Sequence, residues 1–444
     1  MTTDHPFTRR SFLKSLSAAA LASPFVTHSL MAKPPHTMLG HASFGAGGMA
    51  WEDIVQLTNT RRVELVAVAE VDLNRTEAVR KRFPQTRIYQ DWRKLLDNES
   101  KRLDSVNVST PDHMHAPIAM SAMERGKAVY GQKPLTHDLY ETRRLTEYAQ
   151  HRGLVTQMGI QIHSAREYKL GVALVQSGAI GKIKEVHSWV TRSWGDPEPL
   201  PAANDPVPEG FAWNLWLGVC TQRPFIGHEY YHPVNWRKRL DFGTGTIGDM
   251  ACHIFDPVVS ALRLGPATTV RSDGPAPNEW NWPLDWCVHF TFPGTVFTAD
   301  KTVTVTWYNG ALKPPAEIRA LLEGDPLPEN GSIFVGTQGA MVLPHIARPL
   351  LYPDKKFKDL PMPELTSDDH WGQFVAACLD GTPTSASFKY AGPLTETVLL
   401  GTVAARFPQT TLKWNAPALA FDNAAANRYI RRTYRKGWQV KGLS

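Results

Sequence analysis

The stretch Gly45-Ala46-Gly47-Gly48-Met49-Ala50 follows a short apolar run, Met38 to Phe44, and precedes a helical stretch, Trp51 to Thr58. In such a strand-to-helix turn the first glycine permits the tight bend and the second lets the backbone come close to a pyrophosphate. The third small residue packs helix against strand. Gly45, Gly47 and Ala50 fill these places, with Gly48 also in the cofactor-binding turn, and the N-terminus of the following helix then faces the phosphates. The next apolar run, Val63 to Ala69, is near-continuous, as in a strand buried on both faces of a parallel sheet, and it ends in Glu70-Val71-Asp72. An acid about 20 residues beyond the turn accepts the ribose 2′-hydroxyl of a dinucleotide. Glu70 has that spacing, with Asp72 taking the role if the strand ends later. Arg75 keeps a 2′-phosphate open, so the cofactor is NAD or NADP with NAD favoured.

The alternation continues along the chain. Helix Asp91 to Asn98 and strand Ser105 to Ser109 lead to Thr110-Pro111-Asp112-His113-Met114-His115. Helix Ala116 to Arg125 and strand Ala128 to Gly131 lead to Gln132-Lys133-Pro134, then helix Asp138 to Arg152 and strand Leu154 to Gln157. Strands alternating with helices predict a doubly wound α/β (Rossmann) domain over residues 37–160. Its ligands belong at the carboxyl ends of the strands, which gathers the glycine-rich turn, Thr110, Pro111, His115, Gln132 and Lys133 around one dinucleotide. His113 and His115 follow a strand with no third Cys or His ligand implied, so no metal is expected.

The whole chain has 444 residues, 42% hydrophobic and 20% charged, which suits a globular protein of two or three domains. Arg9, Arg10, Lys14 and Lys33 against Asp4 account for half of the net charge of +6. The near-neutral remainder leaves no footprint for nucleic acid. Cys220, Cys252, Cys287 and Cys378 lie far apart without a CxxC and read as buried free thiols. Thr8-Arg9-Arg10-Ser11-Phe12-Leu13-Lys14, followed by an apolar run from Leu16 to Val26, reads as a twin-arginine export signal over residues 1–36. Ala20-Leu21-Ala22 or the later Ala32 would mark cleavage. That route carries folded proteins, so it implies a periplasmic protein whose nucleotide is bound, even retained tightly, before export. The translocon is then a transient partner, and no membrane span remains once the signal is removed.

From residue 161 to 444 the pattern changes. Helix Ala165 to Ser177 is followed by longer strands, Ile183 to Ser193, Trp286 to Phe292, Val296 to Tyr308 and Ile333 to Leu343, several of them alternating apolar and polar as antiparallel strands with one exposed face do. Gly195 to Gly210 is too proline-rich for regular structure. Helices near Thr366 to Leu379, Tyr390 to Ala405 and Ala420 to Tyr434 are expected to pack back on the first domain. Asp249 and His253 stand at i and i+4, on one face of a helix, or Asp249 is only an N-cap. Such a pair can show a carboxylate and an imidazole to one substrate, and His has the pKa of a base near neutrality. Gln161 and His163 lie beyond the last parallel strand. His232, Trp236 and Arg237 combine an aromatic face with donors suited to a sugar.

Taken together, Gly45 to Ala50, Thr110 to His115, the Lys133-Pro134 pair and Gly248-Asp249-Met250-Ala251-Cys252-His253 resemble the Gfo/Idh/MocA oxidoreductases. A tail with Phe388 to Glu396 and Tyr434 to Trp438 is similar to that of the family's larger bacterial branch. The resemblance implies a nicotinamide cofactor, a Rossmann domain, and an α+β C-terminal domain with a large open antiparallel sheet that suggests a homo-oligomer. It also implies a cis Lys133-Pro134 bond and oxidation or reduction at a sugar or polyol carbon. Lys133, Asp249 and His253 are then catalytic: His253 takes the hydroxyl proton, Lys133 hydrogen-bonds the same oxygen, and Asp249 orients the sugar or His253. Where the family has Glu-Lys-Pro, this chain has Gln132-Lys133-Pro134, removing one carboxylate partner of Lys133. Two other readings share these residues: a glycoside-cleaving enzyme that uses bound NAD transiently, by oxidation and elimination, and a non-catalytic sugar or nucleotide-binding protein.

Overall fold

The structure, a computed structural model, describes residues 38–444, so the export signal lies outside the described residues. Six strands, β1 (Leu39–Phe44), β2 (Val63–Ala69), β3 (Arg87–Tyr89), β4 (Ser105–Val108), β5 (Ala128–Gln132) and β6 (Thr156–Gly159), form one sheet in the order β3-β2-β1-β4-β5-β6. Every neighbouring pair is parallel. The order changes direction between β1 and β4, so the crevice at their carboxyl ends is where a doubly wound sheet binds its ligand. The inner strands are apolar because helices cover both faces. β3, three residues between polar neighbours, carries too little pattern to be read from sequence. β6 starts two residues later than expected, after Gly153 caps the preceding helix in the left-handed conformation.

The second sheet contains β7 (Ile183–Val190), β8 (Thr269–Ser272), β9 (Trp286–Pro293), β10 (Thr302–Asn309), β11 (Asn330–Gly336), β12 (Ala340–Pro344), β13 (Leu350–Tyr352), β14 (Thr411–Asn415) and β15 (Ala420–Phe421). Its order is β13-β12-β11-β7-β10-β9-β8-β14-β15. It is mixed rather than purely antiparallel, because β7 and β10 run parallel. The run Ile333 to Leu343 is a hairpin of two strands. The run from Val296 becomes a strand only at Thr302, since Thr295 and Thr298 hydroxyls hold the preceding residues in a turn. The helix expected over Ala420 to Tyr434 is absent. Asn423 accepts from the N–H groups of Ala425 and Ala426, and the Asn427 amide bonds both backbone groups of Phe421, so side chains outcompete the helical ladder.

Helix Gly245–Leu262 joins the two halves. Its N-cap, Thr244, donates through N–H and hydroxyl to the buried Asp112 at 3.1 and 2.6 Å, fixing the helix start beside the end of β4. Asp249 therefore lies inside the helix and is not its cap. Two later helices return to the first domain. Phe388–Ala404 packs on Leu139–Arg152, where Arg143 grips Glu396 with two bonds of 2.7 and 2.9 Å, and His370–Asp380 packs on Met49–Asn59. Among the described residues all four cysteines are free, two buried and two half-buried, and no helix is long and apolar enough to cross a membrane.

Candidate active site

A cleft of roughly 250 Å³ lies over the carboxyl ends of β1, β4 and β5. Gly45, Gly47, Gly48, Glu70, Thr110, Pro111, His115, Gln132 and Lys133 line one side, and Trp216, His232, Trp236 and Arg237 the other. Gly45 has φ 104°, and a Cβ there would meet the Ser109 carbonyl oxygen at 2.7 Å and the Ala50 methyl at 2.9 Å. The turn thus requires glycine, and Ala50 is buried beneath it as a packing residue. A Cβ on Gly47 would lie 2.5 Å from the Arg75 guanidinium, so this side chain spans the glycine where a phosphate backbone would approach.

The two acids after β2 take different parts. Glu70 is buried, accepts from the N–H of Ala46 at 2.9 Å and of Asp72 at 3.0 Å, and lines the cleft. Burial raises its pKa, with the two N–H bonds and Arg75 opposing. Asp72 does not line the cleft: it caps the turn Leu73–Thr76 and pairs with His232 at 3.1 Å. The strand ends at Ala69, so Glu70 and not Asp72 stands at the place expected for the ribose-binding acid. Among the described residues the Arg75 guanidinium has no hydrogen-bond acceptor. A glycine cradle, a buried carboxylate with spare lone pairs and a guanidinium with free donors fit a dinucleotide, with the ribose at Glu70 and Arg75 nearby.

Toward the other end, the His115 ring nitrogens lie 2.7 Å from the carbonyl oxygens of Thr110 and Pro134. His115 thereby ties two turns together, its nitrogens committed to the protein instead of a ligand. The Lys133-Pro134 bond is cis. Lys133 Nζ donates to Asp249 Oδ1 at 2.8 Å and to the Asp249 carbonyl at 2.9 Å. Arg237 Nε donates to the same Oδ1 at 3.1 Å, and Trp194 Nε1 to Oδ2 at 2.6 Å. Burial alone would raise the Asp249 pKa, but Lys133 and Arg237 outweigh it and hold the carboxylate well below its usual range. Asp249 makes no bond to His253, so it does not orient that ring directly.

His253 lies one helical turn further on, where it does not line the cleft but borders a separate small cavity with His345. Burial, with the charge of Lys133 and then His345, pushes its pKa well below the ordinary value, leaving a neutral imidazole at pH 7. Its Nδ1 is buried without a partner, and the His345 ring centroid is 5.3 Å away. Of the residues expected to read a sugar, Arg237 reaches Asp249, and Trp236 supports it with its ring centroid 4.3 Å from the guanidinium. His232 is displaced to the Asp72 end, stacked on Phe211. His163 faces away from the cleft: its Nδ1 donates to the buried Asp256 at 2.8 Å, beside Tyr168 and Tyr390, and the ring borders a different cavity. Burial would lower its pKa, but the Asp256 charge raises it instead. Gln161 only approaches the Tyr130 hydroxyl at 3.5 Å. Sequence reasoning missed Trp194, His345 and Asp53, which touch the site from distant segments with no motif of their own.

Residues 40–160 match the Gfo/Idh/MocA family model, described as an oxidoreductase family with an NAD-binding Rossmann fold. Levoglucosan dehydrogenase of Pseudarthrobacter phenanthrenivorans is 23% identical over 191 residues, which are 43% of this chain and 40% of that protein. A glycosyl hydrolase family 109 protein of Shewanella putrefaciens is 25% identical over 207 residues, 40% of this chain and 45% of that one. The chain thus spans less than half the length of these curated relatives. The fold is shared with the WlbA dehydrogenase of Bordetella pertussis, solved with NADH and UDP-GlcNAcA. That likeness has a TM-score of 0.60 and 14% identity, over 85% of this chain and 99% of the other. The glycine-rich turn, Glu70 and the sheet order are the features that the matched segment carries, and residues 40–160 are an NAD-binding Rossmann domain of the kind found in the Gfo/Idh/MocA oxidoreductases.

Proposed function

We propose that the protein is an NAD(P)-dependent oxidoreductase acting on a CH–OH group of a sugar or polyol. The observation that carries this reading is the 2.8 Å contact between Lys133, at the cofactor end of the first domain, and Asp249, on the helix that also bears His253. A nicotinamide dinucleotide held by the glycine turn, Glu70, Thr110 and Gln132 supplies hydride transfer. The chain's own residues handle the proton and the charge. His253, neutral at pH 7, takes the hydroxyl proton of the carbinol. Lys133 gives one of its donors to that oxygen and stabilises its developing charge, while Asp249, kept ionised by Arg237 and Trp194, keeps the ammonium in place. Trp236 and Arg237 close the cleft from the second domain.

The test is reduction of NAD and NADP against a panel of sugars and polyols, followed by absorbance of the reduced nicotinamide. His253→Ala is expected to lower kcat by roughly 10² to 10⁴ with nucleotide affinity unchanged. Wild-type kcat in that variant would make His253 a packing residue. The family 109 relative favours one other reading, cleavage of a glycoside with NAD oxidising and re-reducing the sugar in one cycle. Release of an aryl leaving group with no net change in nicotinamide absorbance would select it.

The same reading places the protein in the periplasm as a homo-oligomer, exported with nucleotide bound. Arg9-Arg10 in the export-type segment supports the first statement, and Ile346 and Leu350, 77% and 48% exposed along one segment, support the second. Changing both arginines to lysine is expected to leave the precursor in the cytoplasm. Normal delivery of that variant refutes the twin-arginine route.

A further inference from the structure

At position 132 this chain has an amide where the family pattern has a carboxylate, and a buried carboxylate faces that amide from the neighbouring helix. Asp53, in helix Met49–Asn59 under the glycine-rich turn, has no exposed surface. Its Oδ2 accepts from Ser109 Oγ at 2.7 Å and from Gln132 Nε2 at 2.9 Å, and its Oδ1 accepts from Trp371 Nε1 at 2.9 Å. All three donors are neutral. Burying a carboxylate on such terms is costly, and nothing in local packing demands it, since helix and sheet meet elsewhere through apolar residues.

What the carboxylate does is fix an amide. With Nε2 drawn to Asp53, a flipped Gln132 would set its carbonyl oxygen against the carboxylate, so only one orientation survives. Gly159 holds the plane from the other side: a Cβ there would lie 2.5 Å from Gln132 Nε2. The remaining polar atom, Gln132 Oε1, accepts a long bond from the Lys133 backbone N–H, N to O 3.4 Å, and keeps a second lone pair where Gln132 lines the cleft. It is an acceptor without charge at the place where the family pattern has a charged one.

We infer that Asp53 is a positioning residue: acting through Gln132, it aims a neutral acceptor at the hydroxyl or carboxamide donors of the nicotinamide end of the cofactor. It also keeps a second carboxylate away from Lys133, whose ammonium is left to Asp249. The inference rests on the nucleotide-binding reading above. It makes Asp53 and Gln132 a unit: a glutamate at 132 would face Asp53 at the distance of a hydrogen bond, where two carboxyl groups must share a proton and the amide donor is lost. Moving the charge back, with Asn at 53 and Glu at 132, reverses donor and acceptor and restores the bond.

NADH is the probe, titrated by its fluorescence against Asp53→Asn, Gln132→Glu, the double variant and Gly159→Ala, with melting temperature measured on each. Both single charge variants are expected to weaken NADH about tenfold or more, and the double variant to return within about threefold of wild type. Gly159→Ala, which alters no charge and sits at an ordinary backbone conformation, is expected to weaken NADH several-fold by pushing the amide aside. A merely structural Asp53 predicts instead that melting temperatures fall additively, while NADH affinity stays put in the folded variants. A double variant no better than the worse single, or a Gly159→Ala protein that binds NADH as the wild type does, overturns the inference. Wild-type protein that fails to bind NADH or NADPH overturns the nucleotide reading together with it.

Discussion

Replacing Lys133 by Met separates chemistry from stability in a way the structure makes quantitative. When the ammonium is removed, Asp249 still accepts from Arg237 Nε at 3.1 Å and Trp194 Nε1 at 2.6 Å, so the carboxylate is not orphaned. The loss is that of hydrogen bonds to a charged group in a mostly buried place, about 1.5–3 kcal/mol. Asp249→Asn is the harsher change, because it leaves Lys133 and Arg237 side by side with no anion, a situation that costs about 3–5 kcal/mol. Catalysis runs the other way. On the proposed mechanism Lys133→Met removes the donor to the reacting oxygen, for which about 10² to 10³ in kcat is expected, together with weaker substrate binding. A second signature is electrostatic. After burial, the charge of Lys133 is the largest influence lowering the His253 pKa, so its removal raises that pKa and moves the acid limb of the pH–rate profile to higher pH. The assays are steady-state kinetics across pH on the best sugar or polyol substrate and thermal melts of both variants. A Lys133→Met enzyme with kcat/KM within about threefold of wild type and an unmoved acid limb would show that Lys133 only ties the domains together.

Glu70→Ala is expected to weaken NAD more than NADP, and Arg75→Ala to weaken NADP by about tenfold with little effect on NAD; calorimetry showing equal losses in both would refute the assignment of the ribose end. Stability is expected to fall on acidification. Burial pushes His41 and His370 down to about 4 and His113 to about 3. Below about pH 6.5 the unfolded chain therefore takes up protons that the native one refuses, and stability is lost as pH falls from there toward 4. Asp53, pushed up to about 6 by burial, has the opposite sign, as do the buried Glu70 and Asp112, so they offset part of the loss that the histidines cause. Melting temperatures that stay level from pH 6.5 to 4.5 would contradict this.

The cofactor domain was legible because its signals are contiguous. Gly45 to Ala50, Glu70, and the strand ends at Thr110 and Gln132 each declare their role within a few residues, and the parallel sheet gathers them automatically. The second domain was less so, since local choices there are made by single side chains. Asn423 and Asn427 turn a plausible helix into a knot of side-chain bonds, and Thr337-Gln338-Gly339 divides one apolar run into two strands. The site's pairings were the least legible. Trp194 and Arg237 meet Asp249, His232 meets Asp72, and Trp371 meets Asp53 across as many as 318 residues of chain, contacts set by how two domains dock and by no spacing in the sequence.

Helix Gly245–Leu262 shows why the docking matters to the chemistry. Asp249, His253 and Asp256 fall at i, i+4 and i+7, so they lie along one face about one turn apart. Each acid is engaged by a cationic or titrating partner from the segment before residue 164: Asp249 by Lys133, and Asp256 by His163, with the Tyr168 and Tyr390 hydroxyls also on Asp256. His253 sits between these two clamps without a hydrogen bond at Nδ1 and with its pKa lowered by burial and by Lys133. A histidine bonded to either neighbouring carboxylate would be pushed toward the charged form, as His163 is by Asp256. Because the acids are occupied by other partners, His253 stays neutral while its position is fixed by the helix, the state a proton acceptor needs at pH 7. The two pairs thus hold the domains in register and, by the same contacts, leave the His253 imidazole unprotonated.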